Sequence, residues 1–172
     1  MKRIFSYVLL VLMTFLVQNN FFAASNLIDT VPNLLLILVF SFGFLRGSTT
    51  GMLIGFACGL LSDVFFGSTI GFSALIYSVL GYGIGLMGRL YYTDFVNMPL
   101  LLCLLSDLAY HLGTFVFAFL LNGRHGFGSY LLNIALPELL YTGLMTLLLY
   151  PLLRRVDGWI EKWEFRKTKQ YV

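Results

Sequence analysis

The fold of this chain is decided by the stretch from Gly51 to Gly71, GMLIGFACGLLSDVFFGSTIG. Gly51, Gly55 and Gly59 recur every four residues in an apolar segment, and Asp63 continues the series. Residues four apart lie on one face of an α-helix, so the glycines form a strip without side chains. Close packing of this kind drives helix association in lipid, where hiding one apolar surface against another gains little. The pattern therefore predicts a second helix at backbone distance.

Asp63 extends the interpretation of this strip. A carboxylate in a membrane helix is costly unless it faces protein, water or a headgroup. We therefore interpret the three glycines and Asp63 as one seam that is either buried or faces a partner. The alternative is that glycines are simply common in membrane helices and that Asp63 caps the turn that follows it.

The composition is that of a membrane protein. Of the 172 residues, 59% are hydrophobic and 11% are charged, and the mean hydropathy is +0.86, whereas soluble domains have about a quarter of charged residues. We predict an all-α polytopic membrane protein in which residues 1–172 form a single transmembrane domain. The six predicted transmembrane helices are 4–22, 31–45, 48–66, 71–90, 97–121 and 130–153, followed by an amphipathic cytoplasmic tail at 154–172.

The basic residues predict the orientation of these spans. Arg124 falls on one side of the membrane, and ten basic residues fall on the other: Lys2, Arg3, Arg46, Arg89, Arg154, Arg155, Lys162, Arg166, Lys167 and Lys169. Because positive charge concentrates in cytoplasmic loops, the pattern predicts a multi-pass protein of the bacterial inner (cytoplasmic) membrane with both termini in the cytoplasm.

The first span has a rival interpretation as a cleavable signal peptide. Basic residues precede its apolar run, and the small residues Ala23, Ala24 and Ser25 follow it. The charge pattern does not distinguish the two, because cleavage would leave every other loop unmoved.

Spans two to four are predicted to pack closely. The tight turn Arg46, Gly47 and Ser48 makes spans two and three an antiparallel hairpin, and Gly81 and Gly85 give span four its own small-residue face.

Two features are predicted for the last span and the tail. Pro137 lacks a backbone N–H and predicts a kink in span six. In the tail, Trp159, Ile160 and Trp163 share one face, which favours a helix lying on the inner membrane surface, and binding of a cytoplasmic partner is the alternative.

Two acids lie well inside predicted spans. Asp107 is about 15 Å from the inner end of span five and Glu138 about 14 Å from the outer end of span six, so both are near the middle of a core about 30 Å thick. His111 lies one turn from Asp107, Tyr141 lies three residues from Glu138, and Tyr110 is close by. We predict an intramembrane polar cluster of these groups, serving either as an interhelical hydrogen bond that fixes packing or as a proton or ligand path.

Motifs for catalysis are missing from the sequence. It has no phosphate-binding Gly-rich loop, no histidine pair at metal-ligand spacing and no nucleophile elbow. An intramembrane aspartyl protease needs two carboxylates at one depth, and the predicted depths of Asp63 and Asp107 differ. We therefore expect no enzyme activity, no catalytic residue, no metal site and no cofactor.

One group of residues carries a resemblance to a known family. It comprises Pro32 and Asn33 in span two, Gly55, Phe56, Gly59 and Asp63 in span three, and Gly67, Ser68, Thr69 and Gly71 in the following turn. From about residue 32 to 85 the chain resembles the rod shape-determining protein MreD family. The resemblance implies a non-enzymatic subunit of the cell-wall elongation machinery. It would bind MreC and so link MreB filaments to the glycosyltransferase RodA and its penicillin-binding transpeptidase.

The resemblance also implies an alternative function. The family is thought to share the six-helix arrangement of the substrate-binding subunits of energy-coupling-factor transporters. On that basis the chain would bind a small molecule or lipid intermediate in an outward pocket near Asp63, Arg124 and His125. A scaffold needs the glycine strip of span three or four to be exposed to lipid, whereas a solute binder needs those strips packed internally.

Overall fold

The computed structural model describes residues 2–22, 31–67, 69–90, 97–122 and 127–168. Within these ranges the chain is helical and has no strand. The helices are α1 (Lys2–Val17, continued by the π-helical turn Gln18–Phe22), α2 (Leu34–Arg46), α3 (Ser48–Phe66), α4 (Phe72–Leu90), α5 (Asn97–Asn122), α6 (Phe127–Tyr130, continued by the π-helical turn Leu131–Ala135) and α7 (Leu136–Thr168).

Helix α2 lies at the centre of the bundle. Its sequence, LLLILVFSFGFLR, is apolar on every side, as expected of a helix surrounded by protein. Every residue from Leu34 to Gly43 is buried, and α2 contacts α1, α3, α4, α5 and α7. Thirteen residues extend for about 20 Å. The centre of the fold is therefore a short helix, and the helices packed around it form the outer surface.

Within the described ranges, three helices are long and apolar enough to cross a membrane: Ser48–Phe66, Pro99–Phe117 and Leu136–Trp159. Three further apolar helices are shorter: Ser6–Asn20, Leu34–Arg46 and Phe72–Gly88. The prediction of an all-helical membrane protein is confirmed at this level. Six membrane crossings with both termini in the cytoplasm stay a prediction.

The turn between α2 and α3 is built on Gly47. Its φ of 92° is in the left-handed region that favours glycine, and its N–H donates to the Gly43 carbonyl at 2.9 Å. Beside this turn, the Arg46 Nε donates to the Asp157 carboxylate at 2.7 Å. The ion pair holds the end of α2 and the distal part of α7 at the same end of the bundle, which the predicted topology requires.

Helix α7 contains most of predicted span six and part of the predicted tail. It runs without a break from Leu136 to Thr168, or about 50 Å. A π-helical turn precedes it, and the Leu136 N–H donates to the Leu131 carbonyl. Pro137 lies in the first turn of α7, and the kink predicted there stays a prediction. Trp159 is exposed.

Some predictions concern parts of the chain outside the described residues. The small residues 23–25 of the signal-peptide interpretation lie there, as do Arg124 and His125. The side chains of Ile160 and Trp163 also lie outside the described part, so the amphipathic face of the tail stays a prediction.

Candidate functional site

The glycine strip of α3 packs against α4 inside the protein. A Cβ added to Gly51 would come within 3.0 Å of the Gly81 carbonyl oxygen, and one on Gly55 would come equally close to the backbone of Tyr77. A Cβ on Gly59 would meet the backbone of Ala74 in the same way. Real Cβ atoms do not approach backbone atoms so closely. The two helices are therefore in backbone contact along the whole strip.

The strip of α4 is buried in the same manner. Gly81 faces Gly51, and a Cβ on Gly85 would collide with the backbone at Gly47 and Ser48. Of the two alternatives for the strip, a buried seam and a surface free to receive a partner helix, the structure supports the buried seam. The physical reason is that α4 is the next helix after α3 in the chain and carries glycines at the depth of those on α3, so the seam closes within the chain.

Asp63 caps the N-terminus of α4. Its carboxylate accepts hydrogen bonds from the backbone N–H groups of Gly71 at 2.9 Å, Ser73 at 3.0 Å and Ala74 at 3.1 Å. The side chain is 2% exposed. The first N–H groups of a helix have no partner within the helix, and the helix dipole favours a negative charge there. Of the interpretations left open above, the structure supports the cap, and the carboxylate is engaged rather than free to bind a solute.

Asn33 lies at the N-terminus of the buried helix α2 and links α2 to α4 and α7. Its side-chain oxygen accepts from the Leu36 N–H at 3.1 Å and from the Tyr77 hydroxyl of α4 at 2.9 Å. Its backbone N–H donates to the Thr142 hydroxyl of α7 at 3.2 Å. The backbone N–H of Leu35, in the first turn of α2, donates to the side-chain oxygen of Gln18 at 3.1 Å. Every group named here is thus paired, as burial in a membrane protein requires.

Three of the five residues predicted to form a polar cluster, Asp107, His111 and Glu138, meet between α5 and α7. His111 Nε2 lies 3.5 Å from Glu138 Oε2 and 4.0 Å from Asp107 Oδ1. Asp107 is fully buried, His111 is 4% exposed, and the Glu138 side chain is 18% exposed. The sequence predicts that both acids lie near the middle of the membrane, Asp107 by counting from the inner end of span five and Glu138 by counting from the outer end of span six. The short distances in the structure agree with this prediction.

Another predicted member, Tyr141, is not buried with these three residues. Its side chain is 38% exposed on α7, whereas Tyr130 takes the place beside His111, with 3.2 Å between its hydroxyl and His111 Nδ1. The sequence interpretation missed Tyr130 because it counted from Glu138 in steps of a regular α-helix. The π-helical turn Leu131–Ala135 changes that register.

A groove of about 680 Å³ opens between α1 and α3 near the end of α2. Tyr7, Val8 and Val11 of α1 form one wall, and Thr50, Leu53, Ile54 and Ala57 of α3 form the other, with Arg46 at one end. The lining is mainly apolar and includes two small side chains, Thr50 and Ala57. The sequence interpretation missed the groove because it is formed by the face of α3 beside the glycine strip.

These features define a helical membrane protein held together by close helix packing and buried hydrogen bonds. A family model described as rod shape-determining protein MreD matches residues 1–156 of the 172-residue chain. The chain therefore belongs to the MreD family, a family of structural proteins in shape determination, and has a role in determining rod shape. No curated protein and no solved structure gives a significant match.

Proposed function

We propose that this protein is a non-enzymatic integral subunit of the bacterial cell-wall elongation complex that binds MreC and so helps to maintain rod shape. The observation that carries the proposal is the family match, which extends over residues 1–156. The apolar helices, three of them long enough to span a membrane, support a place in the inner membrane. Through MreC the protein would be linked indirectly to MreB filaments, RodA and the penicillin-binding transpeptidase.

The groove between α1 and α3 is the surface that we propose for the membrane helix of MreC. The glycine strips of α3 and α4 are buried against backbone inside the protein, so the exposed strip that we expected of a scaffold is not present. A partner therefore has to bind to another, outer face. In lipid, a partner helix gains most where small side chains let it approach closely. Thr50 and Ala57 supply such side chains on one wall of the groove.

The test is co-purification of MreC with variants that differ only in the position of one added side chain. Ala57→Leu extends a larger side chain into the groove, and Ala109→Leu adds the same atoms to an exposed position of α5. We expect Ala57→Leu to reduce recovery of MreC at least tenfold and Ala109→Leu to leave it unchanged. Both variants should give the same amount of monodisperse protein, because neither changes the seam.

Equal recovery of MreC with both variants would overturn the assignment of the groove. Failure of the unmodified protein to recover MreC from co-expressing membranes would overturn the function itself. Gly55→Leu serves as a third reference. Because a side chain there meets the backbone of Tyr77, it should reduce the amount of folded protein rather than selectively release MreC.

A further inference from the structure

The cluster of Asp107, His111 and Glu138 has the geometry of a metal-ligand set. One ligand atom from each side chain lies within 4.8 Å of the other two. With His111 Nε2 at 3.5 Å from Glu138 Oε2 and 4.0 Å from Asp107 Oδ1, a point equidistant from the three atoms is at most about 2.4 Å from each. Zinc binds nitrogen and oxygen at about 2.0–2.2 Å. Shifts of a few tenths of an ångström in side-chain position would therefore bring all three atoms to coordination distance, and the fourth position of a tetrahedral zinc would be left to a water molecule.

Buried polar atoms point into this space without partners. Within the described part of the chain, both carboxylate oxygens of Asp107 and the Nε2 of His111 are buried and have no hydrogen-bond partner. The Thr142 side chain lies beside Asp107 but outside hydrogen-bonding geometry. Unpaired polar atoms are strongly disfavoured in a membrane interior, where no bulk water replaces the missing partners. A bound ligand would supply the missing partners of these three atoms.

Tyr130 supports a ligand role for His111. Its hydroxyl lies 3.2 Å from His111 Nδ1, on the side of the ring away from the carboxylates. Metal-binding histidines commonly donate their second ring N–H to such an oxygen, which fixes the tautomer and the orientation of the ring. If Nδ1 carries the proton and donates it to Tyr130, the lone pair of Nε2 faces Asp107 and Glu138. The ring is then oriented as a metal ligand.

We propose that Asp107, His111 and Glu138 bind one divalent transition-metal ion, with Zn²⁺ as the best match, between α5 and α7. The imidazole nitrogen favours zinc over calcium or magnesium, which prefer oxygen ligands. Two carboxylates, a neutral imidazole and a divalent cation have no net charge, so the assembled set suits a buried position. Because two ligands come from α5 and one from α7, the ion would fasten these helices to each other.

The competing arrangement is a proton shared between the acids. In that case Glu138 is protonated and hydrogen-bonds to Asp107 or His111, and the cluster binds no metal. The two arrangements differ in their response to Glu138→Gln. An amide can still donate the hydrogen bond of a protonated carboxyl, so a proton-sharing cluster tolerates the change, whereas a metal site loses an anionic ligand.

The experiment measures zinc in the full-length protein, purified without a histidine tag in detergent. We expect one zinc per chain by elemental analysis, and a melting midpoint that falls by about 5 to 10 °C after treatment with a chelator and recovers with Zn²⁺ at roughly a hundredfold excess over Kd. His111→Ala and Glu138→Gln should each lose the bound zinc and the response to Zn²⁺. His125→Ala is the matched control, because His125 is the other histidine of the chain, and it should retain both.

Two results would overturn the metal site. One is an unmodified protein that holds no zinc after incubation with Zn²⁺ and melts at the same temperature with and without it. The other is a Glu138→Gln variant that binds as much zinc as the unmodified protein. The first result is obtained with the unmodified protein, so the proposal can be tested even if a variant does not fold. Neither result bears on MreC binding, which is tested separately at the groove.

Discussion

Two glycines of α4 test whether the seam with α3 holds the fold together. Gly81 faces Gly51 so closely that an added Cβ would come within 3.0 Å of a carbonyl oxygen, whereas a Cβ on Gly83, two residues away, would meet nothing within 4 Å. Both substitutions to alanine add one methyl group to the same helix. Both also carry the same gain in helix propensity, about 0.8–1 kcal/mol. Their difference therefore isolates the contact with α3.

The magnitude follows from the contact. A Cβ under 3.0 Å has to move beyond 3.4 Å to reach ordinary packing, so α3 and α4 must separate by more than 0.4 Å. A gap of 0.5–1 Å already loses about a quarter to a half of the dispersion energy of each facing atom pair, and overpacking a tight contact costs about 1–3 kcal/mol. We expect Gly81→Ala to be less stable than Gly83→Ala by about 2 kcal/mol, or about 4 to 8 °C in melting midpoint.

The assay is thermal unfolding of both variants in the same detergent, followed by the loss of monodisperse protein. Gly51→Ala provides a second check, because its Cβ would collide with Gly81 from the opposite side, in addition to the Gly43 Cα on α2. Once either alanine has separated α3 from α4, the collision between Gly51 and Gly81 is relieved for the other alanine as well. The double variant should therefore lose clearly less stability than the two single losses added together. Equal melting of Gly81→Ala and Gly83→Ala would refute the reasoning, as would full additivity in the double variant.

Three further substitutions test the buried polar contacts by thermal unfolding. Asp63→Asn removes the charge that accepts three N–H groups of the α4 cap, and it should lower the free energy of unfolding by about 1–3 kcal/mol; an unchanged midpoint would contradict the cap. Asn33→Ala leaves the Tyr77 hydroxyl without its acceptor, and it should destabilise by a similar amount unless Tyr77→Phe is introduced with it, which should restore part of the loss. Arg46→Asp should be destabilising alone and partly rescued by Asp157→Arg, since the two side chains form an ion pair; absence of rescue would contradict a direct contact.

Periodicity in the sequence predicted the helices and the backbone contact better than it predicted which surfaces meet. A four-residue glycine repeat indicates that something packs at backbone distance, but it does not identify the partner, because a helix of another chain and the next helix of the same chain demand the same small residues. Asp63 illustrates this limit. Its spacing placed it in the seam, while its cap depends on where the backbone N–H groups of Gly71 and Ser73 lie at the start of α4.

The polar cluster shows where residue spacing stops being informative. Asp107 and His111 are one turn apart on α5, and the depth of Glu138 could be counted from the other side of the membrane. Tyr130 could not be found in that way, because a π-helical turn lies between it and Glu138. A search for paired histidines at metal spacing fails for a related reason. The third ligand atom belongs to α7 and approaches His111 only when the two helices pack.

The placement of α2 explains why the fold and the proposed partner would use different faces of α3. Because the residues from Leu34 to Gly43 are buried on all sides, the neighbours of α2 must close around it. Glycines on α3 and α4 allow that closure by bringing the two backbones together. The glycine face of α3 is therefore buried against α4 and is not available to a partner. The helix of MreC that we propose as the partner would bind the adjacent face, lined by Thr50, Leu53 and Ala57, so substitutions on the two faces should separate loss of folded protein from loss of binding.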